Sequence, residues 1–180
     1  GKPKSGAKGD MKKFDWIKVN ASVFYDLILN RATFTSDPIL PIGKYINSDS
    51  VTMWGSTVDI EINPHRFLFL RASGTLGRAW DNIAGNEMPY KPHIQGLTAV
   101  SIQPTGRVTF SLEEQWLGRR YADIENRALL GSFAQTNLKG ELKVGQGLAF
   151  VKILNLLNTS GQDSPGFPVP GTTLYVGYTL

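Results

Sequence analysis

The stretch Ile17-Lys18-Val19-Asn20-Ala21-Ser22-Val23-Phe24-Tyr25-Asp26-Leu27-Ile28-Leu29-Asn30 decides the fold. Ile17, Val19, Ala21, Val23, Tyr25, Leu27 and Leu29 share one face; Lys18, Asn20, Ser22, Phe24, Asp26 and Asn30 share the other. A period of two places successive side chains on opposite sides of an extended chain, so the stretch reads as a β-strand with unlike faces.

Outward from it, the same alternation recurs seven times. Near 51–62, Val58, Ile60 and Ile62 oppose Thr57, Asp59 and Glu61; near 67–77, Leu68, Leu70, Ala72 and Leu76 oppose Arg71, Ser73 and Thr75. A weaker segment at 93–103 sets Ile94, Val100 and Ile102 against Gln95, Ser101 and Gln103. At 107–119, Val108, Phe110, Leu112 and Trp116 oppose Thr109, Ser111, Glu113 and Gln115. At 134–144, Ala134, Leu138, Leu142 and Val144 face away from Gln135, Asn137, Lys139, Glu141 and Lys143. The segment 148–156 is mostly apolar, and 172–180 alternates Leu174, Val176, Tyr178 and Leu180 with Thr173, Tyr175, Gly177 and Thr179. The expectation is an all-β chain of eight antiparallel strands.

Connections alternate in length. Short turns with Gly or Pro fall near 63–66, 104–107 and 144–147, and long loops near 31–50, 80–93, 121–132 and 158–171. Outer-membrane barrels have this asymmetry, together with strands of about ten residues. A soluble eight-stranded barrel of the lipocalin kind would alternate as well. Two features favour the membrane. The apolar face carries almost no charge, Glu114 being the exception. Large aromatics also gather toward strand ends, with Tyr25, Trp54, Trp80, Trp116 and Tyr121 on the long-loop side and Trp16 and Tyr178 on the other.

Composition agrees. The chain has 180 residues, no cysteine and two histidines, so it holds no disulfide frame and no thiolate site. The net charge of +4 comes from five lysines against one acid in Gly1–Lys13, and residues 14–180 are neutral, with 14 basic against 14 acidic side chains. Residues 1–13 therefore read as a flexible Lys-rich lead-in and 14–180 as the strands. A neutral body offers nucleic acid no basic face, and none is expected as a partner. No apolar run is long enough for a transmembrane helix, and the lysines precede no apolar stretch of the signal-peptide kind.

The C-terminal third resembles a known family. Asn155-Leu156-Leu157-Asn158, followed by Pro165-Gly166-Phe167-Pro168-Val169-Pro170-Gly171-Thr172-Thr173-Leu174-Tyr175-Val176-Gly177, is similar to the closing strands of TonB-dependent outer-membrane receptors. Leu157 stands where that family usually has Phe, and Thr172 where it has Arg. Pro89-Tyr90-Lys91-Pro92-His93, Gln115-Trp116-Leu117-Gly118-Arg119-Arg120-Tyr121-Ala122-Asp123 and Ala21-Ser22-Val23-Phe24-Tyr25 resemble further elements of the family, in its order.

The resemblance implies the last eight strands of such a barrel, with short turns in the periplasm, long loops outside, and a location in the outer membrane of a Gram-negative bacterium. It also implies that Gly177, Tyr178 and Leu180 form a barrel-assembly signal. The implied function is transport of a ferric siderophore or similar bulky nutrient. The family's plug domain and energy-coupling box have no counterpart here. Three explanations stand side by side: one piece of a split receptor, a self-standing eight-stranded barrel that anchors or scaffolds an outer-membrane complex, and a fragment. Expected partners are outer-membrane lipid and lipopolysaccharide, a second barrel chain, or other subunits of such a complex.

Candidate site residues follow from placement. Asp59, Glu61, Arg71, Glu113, Lys139 and Glu141 are expected to face the lumen, pairing across a small filled barrel or lining the wall of a wide one. Trp80, Tyr90 and Phe167 are expected at the outer loops as ligand or partner contacts. His65 and His93 read as turn and rim histidines at opposite ends of the barrel, so no catalytic set, cofactor or metal site is expected and the chain is not read as an enzyme. Asp123, Glu125 and Asn126 read as a solvated acidic loop.

Overall fold

A computed structural model describes residues 16–36 and 43–180; the side chains of 30–49 and the lysine-rich lead-in lie outside the described residues. Eight long strands run as β1 Ile17–Ser36, β2 Gly43–His65, β3 Leu68–Asp81, β4 Ile94–Thr105, β5 Val108–Leu117, β6 Phe133–Val144, β7 Gly147–Leu154 and β8 Thr173–Thr179. Each pairs antiparallel with the next in sequence, giving one meander in the order β1 to β8. Asn86–Glu87 adds a short rung to β3, and Arg120–Tyr121 with Leu129–Leu130 and Gln162–Ser164 with Phe167–Pro168 form two small hairpins in the loops. The described residues contain no helix.

The sequence alternation becomes a sheet with two unlike faces. One ladder runs through Ile17, Ile62, Leu70, Val100, Leu112, Leu138, Ile153 and Leu174, one aliphatic residue from each strand in turn. A single-residue slip anywhere would put a polar residue into this row, which is how the period fixes the register. The row starts at the first residue of β1, at the short-turn end. It reaches β8 at Leu174, six residues short of Leu180, so the strands are staggered as in a tilted barrel wall. The next row on the opposite face reads Lys18, Glu61, Arg71, Ala99, Glu113 and Asn137.

Neither face is covered. Val23, Leu174 and Val176 on the apolar face are 86%, 62% and 71% exposed, while Glu61 and Arg71 on the polar face are exposed too. The only cluster of buried apolar residues among those described is Val51, Ala79 and Met88, at the long-loop end of β2 and β3. A closed eight-stranded barrel packs its interior with side chains; this sheet does not. Among the described residues no ladder joins β1 to β8.

Cross-strand contacts between aromatics and glycines hold the sheet locally. Phe24 lies over Gly55 and Gly77 on the polar face, and Phe150 over Gly177; on the apolar face Trp116 covers Gly96, Phe110 covers Gly140 and Tyr178 covers Gly147. A ring laid over a glycine restores contact area that the missing side chain would leave open.

One expectation needs correcting. The long loop expected at 31–50 is mostly strand: β1 and β2 stay in register from Arg31↔Ser48 to Ser36↔Gly43, beyond the end of β3. Thr33, Phe34, Thr35, Tyr45 and Ile46 favour extended backbone, but without a strong apolar-polar contrast they produce no periodic signal.

Candidate functional site

At the long-loop end three loops, 82–93, 118–132 and 155–172, are tied into one cap. Asn126 joins the first two. Its Oδ1 accepts the Glu87 N–H (2.8 Å) and its Nδ2 donates to the Glu87 carbonyl (2.8 Å), while Asn86 Nδ2 donates to the Ile124 carbonyl (3.1 Å). Tyr90 adopts φ 57°, a costly left-handed conformation for a bulky residue. That backbone lets its N–H donate to the Tyr121 carbonyl (2.7 Å) and brings its hydroxyl to 3.2 Å from Ser164 Oγ.

Arg120 joins the second loop to the third. It is 4% exposed, its guanidinium lies 5.8 Å from the Phe133 ring centroid, and Nη2 donates to the carbonyls of Gln162 (2.9 Å) and Asp163 (3.2 Å). The Asp163 carboxylate stands 3.5 Å away, and Nη1 is buried with no hydrogen-bond partner among the described residues. Within the second loop the Asp123 carboxylate accepts the N–H groups of Arg127 (3.0 Å) and Ala128 (2.6 Å). Burial pushes this carboxyl upward, but the backbone donors, with the Arg127 charge, outweigh it and hold its pKa below the ordinary value.

The third loop is organised by Asn155, which is 2% exposed and has φ 48°. Its Nδ2 donates to the carbonyls of Thr159 (2.9 Å) and Pro170 (3.0 Å), and its Oδ1 accepts the Thr159 N–H (2.8 Å). Its own N–H donates to Asn137 Oδ1 (3.0 Å) and its carbonyl accepts the Thr172 hydroxyl (2.8 Å). One side chain thus pins both ends of the loop, which accounts for an asparagine at the head of the Asn155–Asn158 element.

Beneath the cap, a cleft of about 450 Å³ opens on the polar face. Two adjacent cross-strand rows supply most of its wall: Ser73, Leu97, Gln115 and Gln135, and above them Thr75, Gln95, Leu117 and Phe133. Asp163 forms its lip. None of these glutamines stands out in the sequence as chemistry; only the register shows that strands far apart in the chain bring them together.

The candidate charges do not form one cluster. Lys139 pairs with Glu141 two residues along the same strand (2.6 Å), and Glu113 accepts from Gln115 (2.7 Å). Among the described residues Asp59, Glu61 and Arg71 make no ion pair, although Glu61 and Arg71 are directly opposite. Trp80 lies in β3 on the apolar face, opposite Glu87, whereas Tyr90 is in the cap and Phe167 on the small hairpin, 71% exposed. Gly177 lies under Phe150. Tyr178 covers Gly147 and donates to the Val144 carbonyl (3.0 Å); Leu180 is 95% exposed. His65 stacks on Phe67 at the short-turn end, with centroids 3.9 Å apart. His93 Nε2 is 2.8 Å from Glu87 in the cap, so the two histidines are at opposite ends of the strands.

This architecture, an antiparallel meander with one apolar and one ionic face, short turns at one end and capped loops at the other, matches the pattern of outer-membrane β-barrel folds. The chain is similar in structure to the ferric-catecholate import receptor Fiu from K12 E. coli, with a TM-score of 0.69 and 16% identity over 93% of this chain and 25% of that one. It is likewise similar to the ferric enterobactin receptor of Pseudomonas aeruginosa (TM-score 0.72, 14% identity, 91% of this chain and 29% of that one) and to the copper transporter OprC (0.79, 13%, 91% and 28%). These neighbours are TonB-dependent receptors, and the chain spans between a quarter and a third of their length. No protein-family model matches the chain, and no curated protein matches it by sequence.

Proposed function

We propose that the chain is a wall segment, the last eight strands, of a large outer-membrane barrel that imports a bulky nutrient in the manner of TonB-dependent receptors. The observation that carries this reading is the open sheet: eight staggered strands with a lipid-ready face, an ionic face and two unpaired edges. Strands such as β4, β5 and β6, of 12, 10 and 12 residues, match the length a tilted strand needs to cross a bilayer. An unpaired edge of 20 residues in β1 is a template for pairing, and the remaining strands, in a longer form of this chain or in a second one, satisfy it. The ionic face then lines a wide lumen and the cap faces outward. Lipid and lipopolysaccharide are the partners of the apolar face.

The test is purification from the outer membrane in mild detergent. Recovery only within a barrel much larger than the 19.8 kDa of this chain supports the segment reading. A folded, heat-modifiable monomer of that mass would instead favour a small closed barrel with an anchoring role.

A further inference from the structure

The cleft beneath the cap has a chemistry of its own. Its polar side chains are hydroxyls and amides, contributed by Ser73, Thr75, Gln95, Gln115 and Gln135, interleaved with Leu97, Leu117 and Phe133. Gln115 lies directly opposite Gln135 across β5 and β6, and Thr75 directly opposite Gln95 across β3 and β4. The only ionised group on the lining is Asp163, and its carboxylate faces the buried Arg120 guanidinium.

We infer that this cleft binds a neutral, hydroxyl-rich ligand, an oligosaccharide, as the cargo or a waypoint of the cargo; the inference rests on the importer reading above. A side-chain amide offers both donors and acceptors, and so does a sugar hydroxyl, so a row of glutamines satisfies a hydroxylated ring whichever way its hydroxyls point. The leucines and Phe133 between them offer apolar surface for the C–H faces of such rings. A multiply charged anion leaving water for this wall would find no free cation on its lining, since the Arg120 guanidinium is buried against the loop carbonyls and Asp163, and unpaired charge is expensive to desolvate. A peptide brings charged termini that the lining leaves unmatched. A neutral sugar brings none.

Calorimetry on the purified barrel complex tests this, with maltotriose, cellotriose and xylotriose as neutral probes and a trianionic ferric tris-catecholate as the charged one. At least one neutral trisaccharide is expected to bind, with an affinity that changes less than twofold between 0.05 and 0.5 M NaCl. Gln115→Ala/Gln135→Ala should weaken it tenfold or more; if that pair fails to fold, Gln135→Leu alone carries the same test. Binding of only the ferric complex, with affinity falling as salt rises and indifferent to these substitutions, overturns the inference. So does the absence of binding by all three sugars. Either result, in a preparation where the chain sits in a large outer-membrane barrel, removes the ligand assignment alone. Absence of that barrel removes the importer reading as well.

Discussion

Replacing Asn155 by alanine should release the loop 156–171 from the end of the sheet. The side chain makes three hydrogen bonds, to the Thr159 carbonyl, the Pro170 carbonyl and the Thr159 N–H. Each contributes about 1 kcal/mol net in such a site. Alanine also tolerates the φ of 48° less well than asparagine, by about 1 kcal/mol. A loss of about 3–4 kcal/mol corresponds to a rise of a few hundredfold in the population of the open loop, at about 1.4 kcal/mol per factor of ten. Chymotrypsin reads this directly, because Leu156, Leu157 and Phe167 are exposed side chains in the loop, and cleavage needs local opening. The expected result is cleavage of the folded protein faster by about two orders of magnitude. Asn158→Ala, which loses one long bond to the Thr172 N–H (3.3 Å) and meets a similar backbone cost at φ 51°, should accelerate it by about thirtyfold at most. An Asn155→Ala rate within threefold of wild type would refute the pinning role.

Other consequences can be checked separately. Gly177→Ala puts a methyl 2.5 Å from the tip of the Phe150 ring, a movable side chain, so its folding yield should fall and Phe150→Leu should restore it; failure of the rescue would point to a role for Gly177 in assembly rather than packing. Gly55→Ala meets the Leu76 backbone carbonyl as well as the Phe24 ring, so Phe24→Leu should not rescue it. Arg120→Lys, which loses the planar guanidinium beside Phe133 and reaches the Gln162 and Asp163 carbonyls from a different position, should loosen the cap and speed proteolysis by tenfold or more. Asp163→Asn should change it little, because that carboxylate is 69% exposed. Asp123 is held below its ordinary pKa, so its contribution to loop order is present above about pH 4 and lost as the pH falls through its lowered folded value. Exchange protection at the Arg127 and Ala128 amides should therefore persist down to about pH 4, fall only below it, and lose that acid dependence in Asp123→Asn; a midpoint above about pH 5 would contradict the assignment.

The strands were legible because one physical rule, alternation under two unlike solvents, governs residues such as Val108 to Trp116 without help from the rest of the chain. The aliphatic ladder is its sum. The extension of β1 and β2 past Asn30 was not legible, since residues above the sheet have no apolar face to maintain. The cap was legible only as loops. Its anchors, Arg120, Asn126 and Asn155, act through backbone carbonyls and N–H groups, those of Arg120 and Asn126 supplied mainly from distant segments, and the residue types alone do not distinguish them from solvated polar residues. The glutamine-lined cleft was hidden for a related reason. Gln95, Gln115 and Gln135 belong to three strands, and the register that unites them is a property of the sheet. Tyr90 was identified as a loop residue, but its strained backbone and its two loop-to-loop bonds give it a structural task first.

In an arc of a large barrel β1 and β8 are not neighbours; in a closed eight-stranded barrel they are. The chain has no cysteine, so pairs can be introduced one on each edge strand, Val19 with Val176, Val23 with Leu174, and Ala21 with Tyr178, and oxidised in the native assembly. If the sheet is an arc of a large barrel, none of these pairs forms a disulfide within one chain, and each edge cysteine instead cross-links to cysteines placed on the strands that complete the wall. A closed eight-stranded barrel would bring facing residues of β1 and β8 to Cα separations of about 5 Å, and efficient cross-linking of any one pair would contradict the account.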